Sequence, residues 1–127
     1  MTNKPHDITA PAVVEFTRTN LRILSERYGG ETTLNELRVI NQVIRCDLAG
    51  RTCCVTALHR ITGIPIPTVS RCVANLQRDG WLSERADPDD GRKRIISLGP
   101  HSIELTRDDI NGAIRWINDF RKHGVPA

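Results

Sequence analysis

The chain has 127 residues, of which 39% are hydrophobic and 26% charged, with a formal charge of +3. That length predicts a single domain over residues 1–127, and the composition excludes wholesale disorder and collagen-like repetition. The longest apolar stretches, such as residues 10–14, fall far short of the roughly 18 residues that span a bilayer, and no charged-then-apolar leader opens the sequence, so a cytoplasmic protein without membrane contact is expected.

Only 4% of residues are aromatic, so the core must be built from Leu, Ile and Val, which favours packed helices over a large sheet. The four cysteines, Cys46, Cys53, Cys54 and Cys72, are expected as reduced thiols. Between Arg51 and Leu98 lie eight Lys and Arg against five Asp and Glu, so this central stretch carries the whole +3 and suggests an anionic partner.

Residues 1–6 are polar and contain Pro5, which reads as a loose tail. The N-terminal helices are expected within 7–50. In the first, Thr9 is the cap and Pro11 lies in the first turn. Val13, Phe16, Leu21, Leu24 and Tyr28 form its apolar face as far as Gly29 and Gly30. Thr33 and Glu36 form a capping box for the second helix, with a predicted stripe of Leu37, Ile40, Ile44 and Leu48, closed by Gly50.

Thr52 is expected to open a short third helix carrying Val55, Leu58 and Ile61 before Gly63. A tight turn through Pro65 leads into a helix over 67–79, since a proline is tolerated only in a first turn. Its buried stripe is Val69, Cys72, Val73 and Leu76; the opposite face shows Pro67, Arg71, Ala74 and Arg78, flanked by Thr68, Ser70 and Asn75. Residues 81–85 and 94–98 alternate as strands around a turn-forming, charged segment, which predicts a β-hairpin with a basic flank. Gly99 and Pro100 break the second strand. A second capping box at Thr106 and Asp109 then predicts a last helix over 105–123, with Ile110, Ala113, Ile114, Ile117 and Phe120 on one face, ended by Gly124 and Pro126.

Two short helices, a tight turn and a hairpin over 52–98 predict a mainly α fold with a small β-hairpin wing, a winged helix-turn-helix. Thr68-Val69-Ser70-Arg71, then Arg78-Asp79-Gly80-Trp81-Leu82, then Asp87-Pro88-Asp89-Asp90-Gly91-Arg92 fall in the order and spacing of the MarR-type (multiple antibiotic resistance regulator) transcription factors, which the stretch from Val55 to Leu98 resembles. The resemblance implies a sequence-specific regulator of transcription that binds double-stranded DNA. It also implies a homodimer paired through its N- and C-terminal helices, and a small-molecule effector of unassigned identity. On this resemblance Pro67, Thr68, Ser70, Arg71 and Asn75 face the major groove or its phosphates, with Arg78 nearer the backbone. Arg92 enters the minor groove with its guanidinium held by Asp90, while Lys93 and Arg94 meet phosphates.

The chain departs from the pattern at His59, where helix-turn-helix proteins usually keep Ala, and at Pro65-Ile66-Pro67, where a capping Ser is usual. It departs again at Leu98-Gly99-Pro100 and in a C-terminal region shorter than the family's, which abbreviates the expected dimer interface. Two other readings stay open. One is a winged-helix module that binds protein and has lost DNA binding. The other is a thiol or metal switch, given the ligand-like spacing of Cys54 and His59, although buried or incidental thiols are the simpler account and no metal or cofactor is expected. Trp81 and Trp116 are candidates for the wall of a ligand pocket, although packing is the commoner role of a Trp, and no effector is assigned. With no phosphate-binding glycine loop, no G-x-S-x-G and no H-E-x-x-H, catalysis is not expected.

Overall fold

A computed structural model describes residues 7–124; the readings made for residues 1–6 and for Pro126 lie outside them. Among the described residues, five helices and one hairpin follow in the order α1 (Ala10–Tyr28), α2 (Leu34–Leu48), α3 (Val55–Thr62), α4 (Ile66–Arg78), β1 (Leu82–Ala86), β2 (Arg94–Leu98) and α5 (Pro100–His123). The described residues form two compact units, one of residues 33–105 and one of residues 7–32 with 106–124. Among the described residues no helix is long and apolar enough to cross a membrane.

In the first unit, α2 opens on the expected capping box: Thr33 Oγ1 accepts the Glu36 N–H at 3.1 Å, and Glu36 Oε1 accepts the Thr33 N–H at 3.4 Å. Its buried stripe is Val39, Ile40, Val43 and Cys46 with Gln42, not the predicted Leu37, Ile40, Ile44 and Leu48. Leu48 is 71% exposed. Both stripes satisfy helical periodicity; the buried one is selected because α2 packs against α3, α4 and β2 together, which pulls the Val39 and Val43 side in.

The third helix begins at Val55 rather than Thr52. The backbone of Cys53 is drawn into a bridge with β2, its carbonyl accepting the Ile96 N–H at 2.8 Å, so helical geometry starts only after Cys54. α4 buries Val69, Cys72, Val73 and Leu76, the four residues predicted, although its bounds are Ile66–Arg78 rather than 67–79. The hairpin pairs Leu82 with Leu98 and Glu84 with Ile96, with the first strand one residue later than expected. Leu82, Ile95, Ile96 and Leu98 are buried.

The final helix corrects the prediction most: it starts at Pro100, not near Thr106. Proline at a first helical position needs no N–H partner, and Ser102 secures the start, its hydroxyl lying 2.7 Å from the Trp81 carbonyl and 2.9 Å from that of Gly99. With the helix already nucleated, Thr106 is a buried interior residue and Asp109 is free to pair elsewhere.

In the other unit, Thr9 caps α1 and Gly29, at φ 86°, ends it, as predicted. Trp116 packs between Phe16 (ring centroids 5.3 Å apart) and Phe120 (5.8 Å, stacked). Asp109 Oδ1 lies 2.8 Å from the Arg27 guanidinium. Much of the predicted apolar face of this unit meets solvent: Phe120 is buried, but Val13, Leu21, Ile114 and Ile117 are exposed, and on α1 the buried residue is Ala12, which lies outside the predicted face.

Candidate nucleic-acid interface

α4 presents its buried stripe to the core, which turns Pro67, Ser70, Arg71, Ala74 and Arg78 outward, with Thr68 and Asn75 half-buried at the margin. All six predicted α4 residues thus border one accessible face. Pro65 is the N-cap and offers no side-chain hydrogen bond, so the start of α4 is uncapped. Arg71 has no acidic partner among the described residues, whereas Arg78 lies a loose 3.5 Å from Asp79, both well exposed. An exposed contact of that kind contributes about 0–1 kcal/mol and leaves the guanidinium available.

A groove of about 390 Å³ runs beside this face, lined by Thr68, Arg71, Cys72 and Asn75 of α4 and by Thr33, Asn35 and Glu36 at the start of α2. Burial raises the Cys72 thiol pKa; the Glu36 charge adds to the rise and Arg71 opposes it. A carboxylate therefore borders a surface that looks free of acids when α4 is read alone. The capping box identified Glu36 as a helix-start residue, but only the packing of α2 on α4 brings it here.

The wing is ordered by its own backbone. Asp87 Oδ1 accepts the Asp89 N–H at 2.9 Å, the Asp87 N–H donates to the Lys93 carbonyl, and the Lys93 N–H to the Asp90 carbonyl, both at 2.9 Å. Two expectations change here. The Asp90 carboxylate accepts the Arg92 backbone N–H at 3.1 Å rather than gripping its guanidinium, because the turn brings the chain, not the side chain, over the carboxylate. Arg94 leans across the hairpin to Glu84, Nε to Oε1 3.2 Å, a diagonal pair in this register. Arg92 and Lys93 remain as exposed cations without acidic partners among the described residues.

His59, the residue with ligand-like spacing from Cys54, is engaged by a carbonyl instead: Nδ1 lies 2.7 Å from the Ile64 oxygen. Among the described residues no three His, Cys, Asp or Glu side chains gather as metal ligands. Sequence reasoning also missed Arg38, whose guanidinium donates to the Thr62 carbonyl at the end of α3. No local signal marks that contact, which joins residues 24 apart.

Residues 47–86 match the profile of the IclR helix-turn-helix domain. Among solved structures, the chain is similar to a mutant S. aureus MepR bound to an oligodeoxyribonucleotide, with TM-score 0.69, 16% identity, and 90% of this chain and 83% of that one covered. It is similar to the transcriptional regulator Tm0710 of Thermotoga maritima, with TM-score 0.65, 18% identity and coverage of 85% and 72%. A mutant MarR from E. coli complexed with operator DNA matches with TM-score 0.57, 15% identity and coverage of 91% and 80%. No curated protein matches by sequence. The fold is that of the MarR-type winged helix.

Proposed function

We propose that this protein is a sequence-specific regulator of transcription that binds double-stranded DNA as a homodimer. α4 would lie in the major groove and the wing, residues 85–94, in the adjacent minor groove. The observation that carries the reading is the pairing of an exposed basic face on α4, centred on Arg71, which has no ion-pair partner among the described residues, with a wing whose Arg92 and Lys93 have no acidic partner among them either, in a fold shared with proteins solved on DNA. An α-helix fits the major groove, Arg and Asn read guanine and adenine edges, and cations on phosphates add affinity by releasing counterions. Pro67, Thr68, Ser70, Arg71 and Asn75 are the proposed major-groove set. Arg78, Arg92 and Lys93 supply backbone and minor-groove contacts, Asp90 shapes the wing tip, and Arg94 joins them once released from Glu84.

The dimer rests on a second observation. Ile8, Ala12, Val13, Phe16, Trp116, Ile117 and Phe120 line an apolar groove of about 200 Å³ in the unit built from the chain's two ends, and Val13, Val14, Leu21 and Ile114 are exposed in the same unit. A second copy would cover these residues, and a two-fold dimer places half-sites roughly 10 base pairs apart. A neighbouring cavity of about 190 Å³, bordered by Phe16, Asn20, Asp109 and Trp116, is the proposed place for a small-molecule effector of unassigned identity. The chain would act in the cytoplasm as one domain of 127 residues.

Fluorescence anisotropy with a library-selected duplex and a random one, across a salt series, tests the proposal. Wild type should hold the selected duplex far more tightly and lose affinity steeply with salt. Arg71→Ala should weaken selected DNA by about 10-fold or more, and Arg92→Ala should flatten the salt slope by about one unit. If neither variant changed binding, these faces would be wrongly assigned. The protein-binding module is favoured by one observation, the exposure of Ile61 and Ile66 at 52% and 45% on either side of the helix-turn-helix turn. A dimer without salt-sensitive duplex affinity would support it.

A further inference from the structure

We infer that His59 is a positioning residue for DNA recognition, its ring bonding the Ile64 carbonyl and so fixing the angle at which α4 leaves the turn; the inference rests on the DNA-binding reading above. A carbonyl only accepts, so the 2.7 Å contact places the proton on Nδ1 and makes the ring the donor.

The turn has few other handles. Pro65 and Pro67 have no N–H, and α4 has no side-chain cap, so the usual means of fixing a helix entry is missing here. What remains is a set of bonds from α3 and α2. Thr62 Oγ1 donates to the Leu58 carbonyl at 2.6 Å and accepts the Ile64 N–H at 3.2 Å. The N–H of Gly63, in the left-handed region at φ 76°, reaches the His59 carbonyl at 2.9 Å. Arg38 holds the Thr62 carbonyl. These bonds fix residues 62–64 as far as the Ile64 N–H. Ile64 is 2% exposed, and the bond from His59 is the one that reaches its carbonyl, immediately before the cap of α4.

The lever is long. Asn75, the base-reading residue farthest along α4, lies about 14 Å from the helix start, so a tilt of about 10° at the entry displaces it by roughly 2 Å, more than a bidentate base contact tolerates. Phosphate contacts from flexible side chains survive such a shift better than base contacts do. Loss of the bond should therefore reduce specificity more than general DNA affinity.

Three variants separate the ring's two nitrogens. His59→Asn puts an amide nitrogen where Nδ1 stands, His59→Gln puts one where Nε2 stands, and His59→Ala removes both. Affinity for the selected duplex should fall about 10-fold in the Ala and Gln variants, as expected for a buried carbonyl left unpaired, and stay within about 3-fold of wild type in Asn. Random-duplex affinity should hardly change in any of them. In the free protein, nitrogen NMR should find the proton on Nδ1, and the Asn variant should keep the wild-type chemical shifts at Ile64.

Equal losses in Asn and Gln, retention by Gln alone, or a proton on Nε2 would each overturn the inference. If wild type bound no duplex, the DNA-binding reading and the positioning role would both fall, while the NMR results would still decide whether the bond to Ile64 exists.

Discussion

Cys53 is the least reactive kind of thiol. Burial first, and then the neighbouring Cys46 thiol to which it is hydrogen-bonded, push its pKa from 9.0 up to about 12. The folded state therefore holds this proton where the unfolded chain releases it. The stability this confers is complete below pH 9 and is lost as pH rises toward about 12. Iodoacetamide should leave Cys53 unmodified in the folded protein at neutral pH and label it once the chain is unfolded, which mass spectrometry would read directly. Rapid labelling of the native protein would revive the thiol switch. At Asp109, by contrast, burial and an ion pair oppose each other. Burial raises its pKa despite the 2.8 Å contact with Arg27, so desolvation outweighs the ion pair. That raised value favours the fold below the carboxylate's ordinary pKa, and the gain disappears as pH climbs through the folded one.

The elements were unevenly legible. α4 could be read nearly complete because its four buried residues sit on one period and its ends are marked by Pro65 and Gly80. The start of α5 could not, because Gly99-Pro100 reads equally as a break or as a helix entry, and only the hydroxyl of Ser102 reaching back to the Trp81 carbonyl decides between them. Gly99 itself is set by that junction. A β-carbon there would lie 2.3 Å from the Gly80 carbonyl oxygen and 3.1 Å from its carbon, both backbone atoms. Gly99→Ala should therefore cost at least about 1–3 kcal/mol, seen as a fall in Tm of roughly 5 °C or more. Gly91→Ala, which meets open space, should cost far less by comparison. At the candidate site, the outward residues of α4 follow from periodicity alone. The Glu36 groove, the Arg38 contact and the engagement of Arg94 by Glu84 depend on neighbours distant in sequence, which no local pattern encodes.

For the molecule as a whole, the testable matter is assembly. Val13 and Ile117 border the same apolar groove and are 52% and 39% exposed, so a charge at either opposes burial by a second copy without disturbing residues that are already covered. Val13→Glu and Ile117→Glu should halve the mass measured by light scattering and weaken selected-duplex binding, with secondary structure retained. A mass unchanged in both would remove this groove from the interface. The bridge at Cys53 has a bearing on what else the molecule associates with. Ile96 bonds to Cys53 on one side and faces Glu84 on the other, which makes β2 the inner strand and leaves the outer edge of β1 without a strand partner among the described residues. Such an edge is a template on which foreign strands can grow. Ser83, Glu84 and Arg85 fill it with polar and charged side chains, so the wing's outer margin guards against aggregation.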